Sequence, residues 1–301
     1  MRTIDAPHGV PSRVLLPELA ELLGYLVWRA QARVAAALEE VLPESVDLHG
    51  YAVLLALAGG VTRSQQELAH TVCVSRTTMV RVGADLADRG LVERVRNPDD
   101  RRSYALTRTP DGAAAARAWR RHAEDLEDAL TPGFTLGERE ELRTSVLRLV
   151  EADLAPDTPE PLRESLGFLI TRLQQRMHRD FLSTLAPLRI EPRHFGLLTA
   201  LHSMGPVSQS ELARVLGLSG ASMVQMIDDL ETRGLVTRRR QEVDRRVYVI
   251  ETLPEADDVR ERARVLAATT SQAYLAPLSA ARARRLLVLL QRFVTGARDR
   301  K

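Results

Sequence analysis

Two arginine-bearing stretches hold the residues best suited to chemistry in this chain. Ser75 to Tyr104 reads SRTTMVRVGADLADRGLVERVRNPDDRRSY, and Ser219 to Tyr248 reads SGASMVQMIDDLETRGLVTRRRQEVDRRVY, a constant 144 residues later. The first offers Ser75, Arg76, Thr77, Thr78 and Arg81 at helical spacing, and the second offers Ser219, Gly220, Ala221, Ser222 and Gln225. Arg94 and Arg96, with Arg238 and Arg240 in the second copy, follow on extended runs; Asp100-Arg101-Arg102 and Asp244-Arg245-Arg246 follow at turns. Guanidinium forks match phosphate and guanine, and carboxamides match adenine. These sets suit capture of a polyanion by charge and hydrogen bonding, without bond making.

The rest of the composition narrows the function. Phosphate-cradling glycine loops, a nucleophile elbow and a supported carboxylate pair are all missing from the sequence, so neither catalytic residues nor a cofactor is expected. Cys73 is the single cysteine and the seven histidines are scattered, which excludes an intrachain disulfide and points away from a metal centre. The net charge is +2 and the pI about 9, so any argument for nucleic acid must rest on where the charges sit. No apolar run approaches the roughly 20 residues of a membrane span, and MRTIDAPHGVPSR lacks a signal-peptide core. The expected location is the cytoplasm, with no membrane partner.

A chain of 301 residues suits two domains of ordinary size, and the duplication agrees. Apolar spacing predicts a first helix from Leu19 to about Leu38, a second from Leu48 to the Gly59-Gly60 pair, and a third opened by the capping box Ser64-Gln65-Gln66-Glu67. Ser208-Gln209-Ser210-Glu211 is its counterpart. After a turn through Cys73, Ser75 caps a helix whose Met79, Val82 and Leu86 face inward; Met223, Met226 and Leu230 repeat that face behind Ser219. Gly90 closes the helix, strands follow at Leu91 to Arg96 and Ser103 to Thr107, and Thr109-Pro110 opens a helix to Leu130. Another helix runs from Leu136 to Leu154, and the proline-rich stretch Ala155 to Pro161 reads as a linker. The second copy then predicts helices from Leu162 to Leu185, Pro192 to His202, Ala256 to Tyr274 and Ser279 to Val294. The expected domains are therefore 1–154 and 162–301, joined by 155–161. The expected fold is mainly α with small β-wings.

Helix, tight turn, helix and two-stranded wing form a winged helix-turn-helix, whose second helix enters the DNA major groove. Both halves resemble the MarR family of bacterial transcriptional regulators. The resemblance rests on the Ser-Gln-x-Glu-Leu-Ala opening, Arg89-Gly90-Leu91-Val92 (Arg233-Gly234-Leu235-Val236) and the wing Asp-Arg-Arg. It implies a sequence-specific regulator of double-stranded DNA, with the wing arginines in the minor groove and the wing aspartate orienting them. It also implies pairing through first and last helices, so that one chain resembles a covalently joined, monomeric pseudo-dimer. Family members commonly take a small aromatic or phenolic effector beside those helices. Here Tyr25, Trp28, Arg29, Phe168, Arg172 and His178 could line such pockets, although core packing explains the aromatics equally well. The unlike reading helices predict unlike half-sites, the alternative being that the second helix has lost sequence reading and its basic strand, Arg238-Arg239-Arg240, merely holds phosphates. A winged-helix protein-interaction module and a constitutive binder without an effector are the rival functions.

Overall fold

Serine hydroxyls set the starts of the paired helices in each half. The computed structural model describes residues 15–97, 104–240 and 248–296. The first half comprises α1 (Leu23–Val41), α2 (Leu48–Ala56), β1 (Thr62–Ser64), α3 (Gln65–Thr71), α4 (Arg76–Asp88), β2 (Val92–Arg96), β3 (Tyr104–Arg108), α5 (Pro110–Leu130) and α6 (Leu136–Val150). The second comprises α7 (Glu160–Glu164), α8 (Leu166–Leu185), α9 (Pro192–Met204), β4 (Val207–Ser208), α10 (Gln209–Leu216), α11 (Gly220–Thr232), β5 (Val236–Arg240), β6 (Tyr248–Thr252), α12 (Pro254–Leu275) and α13 (Ala280–Thr295). Ser64 Oγ accepts from Glu67 N at 3.2 Å and Glu67 returns to Ser64 N at 2.7 Å, a complete capping box. In the second copy Ser208 accepts from Glu211 N, but Arg214 engages the Glu211 carboxylate instead. Only half of that expected box forms.

The turn between the paired helices demands a left-handed residue. Gly217 supplies it at φ 67°, and Cys73 adopts it at φ 56° with a side chain that strains the backbone. The sequence marks both positions as small; the physical reason is the dihedral. Replacing Gly217 by alanine should lower unfolding free energy by about 1 kcal/mol, measured by urea denaturation, and a neutral effect would contradict this account. Burial raises the Cys73 thiol pKa, which disfavours thiolate chemistry.

Each wing is a three-stranded antiparallel sheet, in the orders β1-β3-β2 and β4-β6-β5. Registers Arg94↔Leu106 and Arg238↔Ile250 are equivalent in the two copies. The third strand in each, β1 and β4, is two or three residues long and too short to show an alternating pattern.

The chain divides into two compact units. The unit holding the first winged helix, here the first head, comprises Ala37–Pro132 and Val150–Arg172; the second head comprises Met1–Ala36, Gly133–Leu149 and Leu173–Lys301. Leu54, Leu68, Met79, Leu86 and Leu106 centre the first core, and Leu198, Leu212, Met223, Leu230 and Ile250 the second. The expected linker is not a free tether: Ala155 and Thr158 are buried in the first head, and Arg63 on β1 forms an ion pair with Asp157. The helix expected from Leu162 to Leu185 is broken at Ser165, where α7 ends and α8 is capped anew.

In the second head, His194 is fully buried at the start of α9, where its Nδ1 accepts from Glu191 N at 3.1 Å. Desolvation, then the charge of Arg193, lowers its pKa from 6.5 to about 4. The unfolded chain therefore binds the proton more readily, so the stability is present above pH 6.5 and lost as pH falls toward 4. The loss should be about 3 kcal/mol, seen by denaturation at stepped pH, and His194→Gln should flatten the profile; an unchanged slope in that variant contradicts the assignment.

Candidate nucleic-acid interface

Helix α4 separates its two faces cleanly. Met79, Val82 and Leu86 are buried, whereas Arg76, Thr77, Val80 and Arg81 are exposed. Ser75 Oγ accepts from Thr78 N at 3.0 Å and meets Thr78 Oγ1 at 2.8 Å, which fixes the entry of the helix. Arg76 donates to Gln66 Oε1 of α3 at 2.6 Å, so a neighbouring helix aims its guanidinium. Val80 stands exposed between the two arginines, and Val224 occupies the same position on α11. Reading the faces by polarity passes over both; helical spacing from Arg76 and from Gly220 places them outward. Apolar groups at such positions suit thymine methyls.

Helix α11 presents a different surface. Met223, Met226, Ile227 and Leu230 are buried, leaving Gly220, Ala221, Val224 and Gln225 exposed and Ser222 half-buried. Ser219 Oγ accepts from Ser222 N at 3.1 Å, matching the cap on α4. Beyond that the copies part. Arg238 on β5 folds onto Asp228 and Glu231 of α11, and these two carboxylates raise its pKa against the effect of its burial. The equivalent residues in the first copy are Ala84 and Ala87, and Arg94 stays exposed. Arg238, expected as a DNA contact from sequence, is thus committed to pairing within its own head.

Tyrosines brace both wings. Arg96 lies 5.1 Å from the centre of the Tyr104 ring, and Arg240 lies 5.7 Å from that of Tyr248 while donating Nε to its hydroxyl at 3.1 Å. Each pair is also a cross-strand register pair. Asp100, Arg101, Arg102, Asp244, Arg245 and Arg246 lie outside the described residues.

The second head contains a largely apolar cavity of about 140 Å3. Tyr25, Trp28 and His178 line it, and Arg29 sits behind it, buried, donating to the Tyr25 hydroxyl at 2.8 Å. Burial lowers the His178 pKa, which favours the neutral ring. The other two residues expected at a pocket belong elsewhere: Phe168 packs on the first-head core, and Arg172 donates to the Asp153 carbonyl at 3.0 Å. Gln174 and Ser271 also line the cavity and were not singled out by sequence, because a Gln on a mixed helix reads as solvated. Among the described residues no cluster of His, Cys, Asp or Glu could hold a metal ion, and no helix is long and apolar enough to cross a membrane.

Models of one family match both halves. MarR family models match residues 54–104 and 190–247. A transcriptional regulatory protein for the hcr operon of Thauera aromatica is 29% identical over 142 residues, covering 47% of this chain and 86% of that protein. The transcriptional repressor CouR, solved bound to a 23-mer DNA duplex, is 34% identical, with 42% of this chain and 89% of CouR covered and a TM-score of 0.40. A mutant MarR from Escherichia coli, solved in complex with operator DNA, is 25% identical, with 42% and 91% covered and a TM-score of 0.40. On the sequence matches in both halves, the chain belongs to the MarR family, with two winged helix-turn-helix domains in tandem.

Proposed function

We propose that this DNA-binding regulator acts as a repressor in which one chain does the work of a dimer, reading an operator with unlike half-sites. The observation that carries the reading is the outward face of α4, where Arg76, Thr77 and Arg81 are exposed above a fully packed inner face. Helix α11 offers Gln225 at the matching position, so guanine on one side and adenine on the other are the favoured contacts. The wing-tip arginines 101, 102, 245 and 246 would enter the minor groove beside each head. No feature of the described residues suggests catalysis, and the expected setting is the cytoplasm.

The joined-dimer part draws support from an ion pair between equivalent positions. Glu141 of α6 and Arg285 of α13 are 144 residues apart, the repeat offset, and Arg285 Nε donates to Glu141 at 3.1 Å. Two identical copies pairing through this position would place like charges together, whereas a fused chain can place opposite ones there. The sequence copies 1–154 and 162–301 are accordingly read as former subunits, joined through 155–161.

The cavity beside α1 is read as an effector site whose occupation changes DNA affinity. A mobility-shift titration on the DNA upstream of the protein's own gene tests the core of the proposal. Affinity should fall steeply with rising salt, as displaced phosphate counterions require. Absence of a retarded complex, or one indifferent to salt, would refute DNA reading.

A further inference from the structure

Strand β5 carries three consecutive arginines, yet acids of the same head meet two of them. Arg238 reaches back onto α11, where one nitrogen of its fork meets Asp228 and the other meets Glu231, while Glu231 also accepts from Arg238 N at 3.2 Å. The Arg238 side chain is only 25% exposed. Arg239 Nε donates to Glu251 of β6 at 3.2 Å. The 144-residue offset places Ala84, Ala87 and Thr107 where the second head has Asp228, Glu231 and Glu251, and Val95 where it has Arg239. Arg94, the counterpart of Arg238, stands exposed with no ion pair to a described residue.

An arginine fork held by two carboxylates is a poor phosphate ligand. A phosphate would have to displace both acids and then lie beside the two negative charges it had freed. Tying β5 to α11 takes one carboxylate, and the second turns the cluster net negative. Such a cluster repels any phosphate that comes within a Debye length, about 8 Å at physiological salt. Arg239 comes together with Glu251, so the extra cation on β5 brings its own anion with it.

We propose that Asp228 and Glu231 are specificity-determining residues of the second head: by holding Arg238 on α11 they withdraw phosphate affinity from its wing, so that this head docks only where fitting bases supply the rest of the binding. This rests on the DNA-reading proposal above and adds what makes the second head selective. Phosphate contacts act at every sequence alike, so a head rich in them stays on a wrong half-site and a head poor in them leaves it. The first head, with Arg94 exposed, supplies the general attraction. The second, with Arg238 withdrawn, makes its own docking conditional on the bases that face α11.

Salt titrations and footprints of the full chain test it, on the intact operator and on duplexes with one half-site shuffled at a time. Asp228→Ala with Glu231→Ala gives the second head the residues that the first head carries at those places. This variant should bind the operator about fivefold tighter near 0.15 M salt, with the slope of log affinity against log salt steeper by about one, as one added phosphate contact requires. Adding Arg238→Ala should return the slope to its wild-type value. Wild type should leave the shuffled half-site open in one of the two duplexes, and the variant should protect it in both. Asp228→Asn with Glu231→Gln keeps the shape of both side chains, should act in the same direction, and decides the matter if the alanines unfold the head. A slope or footprint unchanged by removing the acids, or a slope lowered by Arg238→Ala in the wild type, would overturn the inference and leave DNA reading intact. Wild-type protein that binds no duplex removes both.

Discussion

Alanine at both Arg76 and Arg81 should weaken binding to the operator about a hundredfold, since each base-reading guanidinium contributes about 1–3 kcal/mol. Alanine at Gln225 should cost about tenfold, confined to base changes in the other half-site. The asymmetry follows from the faces: α4 exposes two arginines around Val80, and α11 exposes Gln225 beside Val224 while its acids hold Arg238 away. Competition titrations with operators altered one half at a time separate the heads. Losses of equal size that ignore base identity would show that both helices hold phosphates only.

Removing the Glu138 carboxylate should cost about 3 kcal/mol of stability. Glu138 starts α6 in the second head and pairs with Arg292 of α13, which is 9% exposed, and with Arg285 at 3.3 Å. The Arg292 hydrogen bond first, then the Thr135 amide, lowers its pKa from 4.5 to about 2. A carboxylate whose folded pKa is depressed stabilises above pH 4.5, and that stability is lost as pH falls toward 2. Glu138→Ala should therefore unfold at lower denaturant at pH 7 and lose most of its deficit relative to wild type near pH 2. Equal stability at pH 7 would mean that the pair only breaks even against its desolvation.

Sequence carried those features whose physics is local. Ser75, Ser219 and Thr109 cap helices as expected because a hydroxyl and an amide three residues away need no tertiary help. Gly90 and Gly234 close α4 and α11 at φ 69° for the same reason. What sequence could not carry depends on distant partners. Ser165 breaks an otherwise continuous apolar pattern, but its companion cap, Glu127, lies 38 residues away. Arg238 looks like a free cation until β5 brings it onto Asp228 and Glu231. Tyr25, Trp28 and His178, expected at a ligand pocket, line the second-head cavity, while Phe168 and Arg172, chosen on the same grounds, belong to the first head, whose matching helix start is occupied by Glu127.

In the proposed arrangement one chain is the complete DNA-reading unit. Native mass spectrometry of the protein with a duplex carrying both half-sites measures this directly. One chain per duplex is expected across a wide range of protein concentration, with both half-sites protected in a parallel footprint. Two chains per duplex, or protection of a single half-site by one chain, would contradict it.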